Sequence, residues 1–339
     1  MNPPSLNEKV LGCLLASALG NAMGSPVENR SWETIEKEFG RIENIIDPRR
    51  LEIEDDNRIG LLLCQAYIEK GGPVTPEDLA KVWLRELEPE QFFWCIRNTY
   101  LLLKAGVSPR LTGIHNIVTG SAIMAMAPVG LFNAGQPDRA FVEALQLGYM
   151  VQPRLDTECA AVIAGCVAEA MKEDATCDSI LETGLRLASD EKIPTFDDRE
   201  LTIRGSLKRA LEVAEKHEDV FDARADIYGN LLQWHAIDPV EVLTLTLCIF
   251  KISGGDVRTS IIGGVNIGRD SDTIANLNGA LSGALHGAAA IPKDWVDQVS
   301  PDSVDKFRNV AREMSQLIIT GARESKTQAE GILKMAGRL

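Results

Sequence analysis

The 339-residue sequence predicts an all-α fold, a single compact multi-helix domain over residues 1–339. Three observations carry this expectation. Apolar residues recur at three- and four-residue steps along nearly the whole chain, as in Ile59, Leu62, Leu63, Ala66 and Tyr67 or Ile274, Leu277, Leu281 and Leu285, while strand-like alternation is scarce. Helix starts are punctuated: Thr75-Pro76-Glu77-Asp78 and Asp238-Pro239-Val240-Glu241 each supply an N-cap, a proline at the first helical position and acidic residues in the first turn. No Pro/Gly/Ser-rich stretch or composition break divides the chain.

The first element is the apolar run Val10 to Leu19. Only nine residues precede it, Glu8 stands beside Lys9, and the run is too short to span a bilayer, so it reads as a buried core helix rather than a signal peptide. Gly12, Ala16, Gly20 and Gly24 recur every fourth residue there, as do Gly279, Gly283 and Gly287 near the other end. Small residues at this spacing make a flat ridge that another backbone can approach, which predicts that the two helices pair at the centre of the fold. Between them, the periodicity predicts helices over 31–39, 55–70, 76–88, 90–104, 119–130, 137–150, 154–173, 177–188, 197–216, 238–252, 254–266, 272–288, 292–300 and 302–322. Residues 216–236 have no readable period. Tyr228, Trp234 and His235 cluster there, and they either line a pocket for a flat base or plug the core beneath a long connection.

A formal charge of −14 and a pI near 4.9 argue against nucleic acid or an anionic membrane as a partner, since both require a basic surface. An anionic ligand must then be held by local donors. The seven cysteines are scattered and odd in number, with no C-x-x-C, the pattern of reduced thiols in a cytoplasmic protein.

Two acidic clusters stand out. In Gly268-Arg269-Asp270-Ser271-Asp272-Thr273, residues two apart on a helix face nearly opposite sides, so Asp270 and Asp272 converge only if Gly268 makes a turn before the helix begins. Far upstream, Glu54-Asp55-Asp56-Asn57 opens another amphipathic run. Either cluster alone complements a helix dipole. Together, four aspartates with neutral oxygens nearby suit magnesium or manganese, whereas zinc calls for clustered His or Cys that this chain lacks. Gly120-Ser121 reads as a helix start whose free N–H groups can cradle an anion, and His115-Asn116 just before it is a candidate substrate contact. Arg269 either reaches an anionic substrate or neutralises the carboxylates around it.

These motifs, with Gly12 to Glu28 and Ala127-Pro128-Val129-Gly130, resemble the ADP-ribosylglycohydrolase family over roughly residues 8–300. The resemblance implies an all-helical fold around a central cleft with two Mg2+ ions, Mn2+ being an alternative. By the resemblance Asp55, Asp56, Asp270, Asp272 and Thr273 are metal ligands, to which Glu54 is added, and Glu28 lies on a loop that closes over the substrate. The catalytic candidates are then Glu28, Glu54, Asp55 and Asp56. The substrate-binding candidates are His115, Asn116, Gly120, Ser121, Gly268, Arg269 and Ser271, with the diphosphate of ADP-ribose near Gly120-Ser121.

The family usually has Thr-Asp-Asp-Thr where Glu54 to Asn57 stands, commonly Arg at Ala125 and often Gly at Arg269. The implied activity is magnesium-dependent hydrolysis of a glycosidic bond to ribose, in an ADP-ribosylated protein side chain or a small molecule. Cleavage through an oxocarbenium-like state needs oriented ribose hydroxyls, a delivered water and a carboxylate base, for which Glu28 and Glu54 are the candidates. The departures keep two alternatives open: an N-glycosidase of ribonucleosides or other ribosyl compounds, and a non-catalytic, crystallin-like member.

Overall fold

The computed structural model describes residues 3–193 and 201–337, and among these the regular structure is helical. In chain order the helices are α1 (Leu6–Gly24), α2 (Trp32–Phe39), α3 (Arg50–Ile53), α4 (Asp55–Lys70), α5 (Pro76–Glu86), α6 (Trp94–Lys104), α7 (Ala127–Phe132), α8 (Pro137–Gly148) and α9 (Arg154–Ala170). They continue with α10 (Cys177–Leu187), α11 (Ile203–Ala214), α12 (Val220–Asn230), α13 (Pro239–Ile252), α14 (Val257–Ile267), α15 (Ser271–His286), α16 (Lys293–Val296) and α17 (Pro301–Ala336). Two isolated β-bridges, Ser31–Gly268 and Ile193–Leu201, are the extended pairings among the described residues.

α1 and α15 form the central pair. Ser5 and Glu8 close a reciprocal capping box at the start of α1, so the helix is longer than the apolar run at its middle. The two helices run antiparallel with their main chains in contact. A Cβ on Gly12, Gly20 or Gly24 would overlap main-chain atoms of Gly283, Ala275 or Ser271, and one on Gly279 would overlap Ala16. This is the close approach that the glycine spacing requires. The segment Leu6–Val27 is long and apolar enough to cross a membrane, yet 78% of its apolar window is buried inside the fold. Lys9 ties the pair to α9: its buried ammonium donates to the carbonyls of Ala170 (2.7 Å), Lys172 (3.0 Å), Ala284 and Leu285 (both 3.2 Å). Those carbonyls belong to two helix C-termini, where the last turn leaves acceptors unpaired and the dipole favours a cation.

α9 is buried over nearly all its length, as is α13, and together with α14 they complete the core around α15. α4 lies against α1, with the buried Asn57 amide directed at the Ala18 carbonyl (3.4 Å). The start of α4 therefore reaches the start of α15. The seven cysteines are free thiols, six of them buried.

The observed elements differ from the sequence expectation in several places. The expected helix 119–130 begins only at Ala127. The buried Asp156 carboxylate accepts the N–H groups of Ala122 (2.8 Å) and Ile123 (3.2 Å), so they point at a side chain, and only a short 3-10 turn, Ile123–Ala125, forms there. α12 occupies the stretch with no readable period. It is capped by Asp219, and its inward face includes Arg224, whose guanidinium stacks on Trp32 and Phe221. The segment 292–300 contracts to the four residues of α16, and α17 runs well past residue 322. The expected helix 197–216 is α11 from Ile203; residues 197–200 lie outside the described residues.

Candidate metal centre

Two helix starts meet at this centre. Gly268, at φ +75°, turns the chain after α14, and a Cβ there would strike the Arg30 carbonyl. Asp270 then sits outside α15 as its N-cap residue while Asp272 lies in the first turn. This non-helical step removes the opposed orientation that two residues of a continuous helix would have. One carboxylate oxygen from each of Asp270, Asp272 and Glu28 lies within 4.8 Å of the others. From α4, Asp55 and Asp56 face the same group: Asp56 interacts with Asp272, and Asp55 with Asp272 and Glu28.

Burial and mutual repulsion shape the electrostatics. Asp56 is held well above the usual carboxylate range by burial, then by the charges of Asp272 and Asp55, although the Asn276 amide (3.0 Å) and the Thr273 hydroxyl bond to its carboxylate. Asp270 is raised likewise by burial, Asp272, Asp56 and Glu28. Burial, Glu28 and Asp55 push Asp272 up to about 8. Asp55 is raised by burial and Glu54, and Glu28 by burial and Asp55. Acid groups gathered this closely favour protonation or a counter-cation.

The donor set fits a hard divalent cation. It consists of carboxylates and one hydroxyl with neither His nor Cys, and Asp272 Oδ1 is buried without a protein partner. Both amide atoms of the buried Asn21 of α1 are likewise unpartnered.

The remaining sequence candidates divide. Glu54 accepts from Arg50 at 2.7 Å, so an arginine already answers its charge. Ser271 donates to the Gly24 carbonyl (3.0 Å) and joins α15 to α1 rather than facing the cleft. The Arg269 guanidinium forks onto Glu241 of α13 at 2.6 and 3.0 Å, so its direct partner is Glu241 and Asp270 is left with only a longer-range attraction to it. Gly120 does border the centre: a Cβ on it would lie 3.4 Å from Asp270 Oδ2 and 3.8 Å from the Ile237 carbonyl oxygen. Ser121 is buried against Thr119 (2.9 Å), in a turn rather than at an α-helix start. The N–H groups that follow it are spent on Asp156, which narrows the anion cradle to the Gly120-Ser121 main chain. Asn116 is a brace, its amide donating to the Cys95 and Val151 carbonyls and the Thr99 hydroxyl, and His115 is exposed beside it.

The aromatic cluster also divides. Tyr228 packs: its hydroxyl donates to the Ile267 carbonyl (2.7 Å) and accepts the Trp32 N–H (3.2 Å). Trp234 is 69% exposed and meets His235 edge to face at 4.0 Å. His235 bonds the Val118 main chain, so this loop lies beside the 118–120 turn at the rim of the acidic centre. Sequence reading missed Asp156 and Glu241. Both were visible only as acidic first-turn residues, Glu241 of α13 and Asp156 of α9.

A sequence model of the ADP-ribosylglycohydrolase family matches residues 2–325, nearly the whole chain. The chain belongs to this family. Similar proteins include YegU of Escherichia coli K12, uncharacterized, 25% identical over 84% of this chain and 89% of its own length. The ADP-ribosylarginine hydrolase Tri1 of Serratia proteamaculans is 25% identical over 91% of this chain and 79% of its own. The ADP-ribosyl-[dinitrogen reductase] glycohydrolase of Rhodospirillum rubrum is 21% identical over 99% of both. A solved structure described as an ADP-ribosylglycohydrolase-related protein complex shares the fold, with a TM-score of 0.69, 20% identity and coverage of 92% of this chain and 99% of that one. Membership places the chain among glycosyl hydrolases that act on ADP-ribose linkages, with an acidic cluster able to hold metal.

Proposed function

We propose that the protein is a magnesium-dependent hydrolase that releases ADP-ribose from an ADP-ribosylated side chain. The observation that carries the reading is the convergence of Glu28, Asp270 and Asp272 with Asp55 and Asp56 around an unpartnered, buried carboxylate oxygen. The names of the relatives from Serratia proteamaculans and Rhodospirillum rubrum favour an ADP-ribosylated protein group as substrate.

Asp55, Asp56, Asp270, Asp272 and the Thr273 hydroxyl would hold the metal. Bound there, it supplies Lewis acidity for the ribose hydroxyls and lowers the pKa of a coordinated water. The chain's own groups divide the remaining work. Asp56, fixed by Asn276 and Thr273, serves as a rigid donor rather than a base. Glu54 is committed to Arg50 and positions the start of α4. Glu28 is the base: its Oε1 accepts from Asn29 at 2.9 Å, burial and Asp55 raise its proton affinity, and it takes the proton from the attacking water and returns it to the departing side-chain atom as the glycosidic bond to the anomeric carbon breaks. The surrounding carboxylates favour the positive charge that develops at the anomeric carbon. Gly120, lacking a side chain, leaves room for the diphosphate against the main chain, and Trp234 offers an exposed face to a base.

A substrate panel with magnesium tests the reading: ADP-ribosyl-arginine, ADP-ribosyl-serine, O-acetyl-ADP-ribose and simple ribonucleosides, followed by product release. ADP-ribose released from an ADP-ribosyl side-chain substrate is expected. Cleavage of ribonucleosides at equal or greater rate replaces the reading with nucleoside hydrolysis, and no cleavage of any ADP-ribosyl compound overturns it.

A further inference from the structure

The turn that carries Asp270 is fastened by a pair outside the acidic cluster. Arg269 lies at φ +63°, a left-handed conformation that side chains other than glycine adopt at a cost. Three segments meet on it. Its N–H donates to the Arg30 carbonyl (2.8 Å) and its carbonyl accepts the Asn29 N–H (2.7 Å), binding the residues that follow Glu28. Its guanidinium forks onto Glu241 through Nε (2.6 Å) and Nη2 (3.0 Å), and the Glu241 side chain is wholly buried. Glu241 Oε2 also accepts the main-chain N–H of Gln233, the neighbour of Trp234. Fork-to-fork pairing of this kind fixes direction as well as distance.

We propose that the Arg269–Glu241 pair is a positioning clamp that holds the Glu28 loop, the Asp270 turn and the Trp234 loop in one register, so that the metal site and the base platform are built together. Neither residue touches the substrate. The inference rests on the reading of this cleft as a metal and ADP-ribosyl site. A pair that served only to neutralise a buried carboxylate would leave both loops unchanged when the arginine is removed at a position glycine occupies freely.

The test uses the full-length protein and two variants. Arg269→Gly relieves the backbone and deletes the fork, whereas Glu241→Gln keeps the shape and the acceptor for Gln233 but removes the charge. Hydrogen exchange is followed in residues 28–31 and 231–238, with α1 and α15 as internal reference, alongside calorimetry with magnesium and with ADP-ribose. In Arg269→Gly both loops should exchange at least tenfold faster while the central pair stays protected, and the affinities for magnesium and ADP-ribose should each fall at least tenfold. Glu241→Gln should move all of these in the same direction by less, and Arg269→Lys should restore only part, since an ammonium cannot fork. Exchange in both loops within twofold of the native protein in both variants overturns the clamp, as do loosened loops with unchanged affinities. If the native protein binds neither magnesium nor ADP-ribose, the functional reading fails while the exchange rates still decide the clamp.

Discussion

Replacing Asp272 by asparagine keeps its shape and removes a titratable group from the buried acidic cluster. Burial, Glu28 and Asp55 raise this carboxyl from 3.8 to about 8, so the folded protein holds a proton that the unfolded chain has released. A group raised in this way contributes stability fully below its unfolded pKa and loses it as pH rises through the folded value. At about 1.36 kcal/mol per pH unit, the cost of holding the proton rises steadily between pH 5 and pH 8. The rise, about 4 kcal/mol, is a ceiling because the neighbouring acids share the proton; about half of it, near 2 kcal/mol, is expected. An unfolding entropy of about 2.1 cal/mol/K per residue gives about 0.7 kcal/mol/K for a chain of this size, so 2 kcal/mol corresponds to about 3 °C. Scanning calorimetry of chelator-treated protein should therefore show Asp272→Asn melting about 3 °C further above the native protein at pH 8 than at pH 5, and magnesium should no longer raise its melting temperature. A pH-independent offset, or a magnesium-induced rise equal to that of the native protein, refutes the assignment.

Other perturbations probe separate parts of the structure. Lys9→Met removes the cation shared by four carbonyls at two helix ends and should cost about 3 kcal/mol in urea denaturation. Gly283→Ala places a Cβ on the Gly12 main chain and should cost about 3 kcal/mol or more, read as lost soluble yield or a lowered denaturation midpoint. Trp234→Ala should weaken ADP-ribose binding about tenfold, roughly 1.4 kcal/mol, in a calorimetric titration that leaves magnesium affinity unchanged.

What the sequence made legible was local or periodic. The cap at Thr75, the proline-led start at Asp238 and the glycine ridges of α1 and α15 each act within a few residues or at a fixed repeat, so their patterns survive in one dimension. The acidic helix starts were equally readable, and the glycine ridges explain why they meet. Several of the failures share one cause, a partner distant in sequence. The helix expected at 119–130 yields to Asp156, whose carboxylate captures two N–H groups from more than thirty residues away. α12 hid because Arg224 counts as polar in any periodicity but is buried by stacking on Trp32. Arg269 looked like a counter-charge for its neighbours in sequence, while its partner Glu241 stands 28 positions upstream. Asn116 looked like a loop donor open to substrate, yet its amide is consumed by Cys95, Thr99 and Val151.

The central claim is that the buried carboxylates hold a divalent cation on which hydrolysis depends. Titration calorimetry of chelator-treated protein with magnesium near neutral pH tests it most directly, with Asp270→Ala measured alongside. Saturable binding by the native protein, absent in Asp270→Ala while the fold remains intact by circular dichroism, is the predicted result. No binding of magnesium or manganese by the native protein, or equal binding by both proteins, would contradict the account.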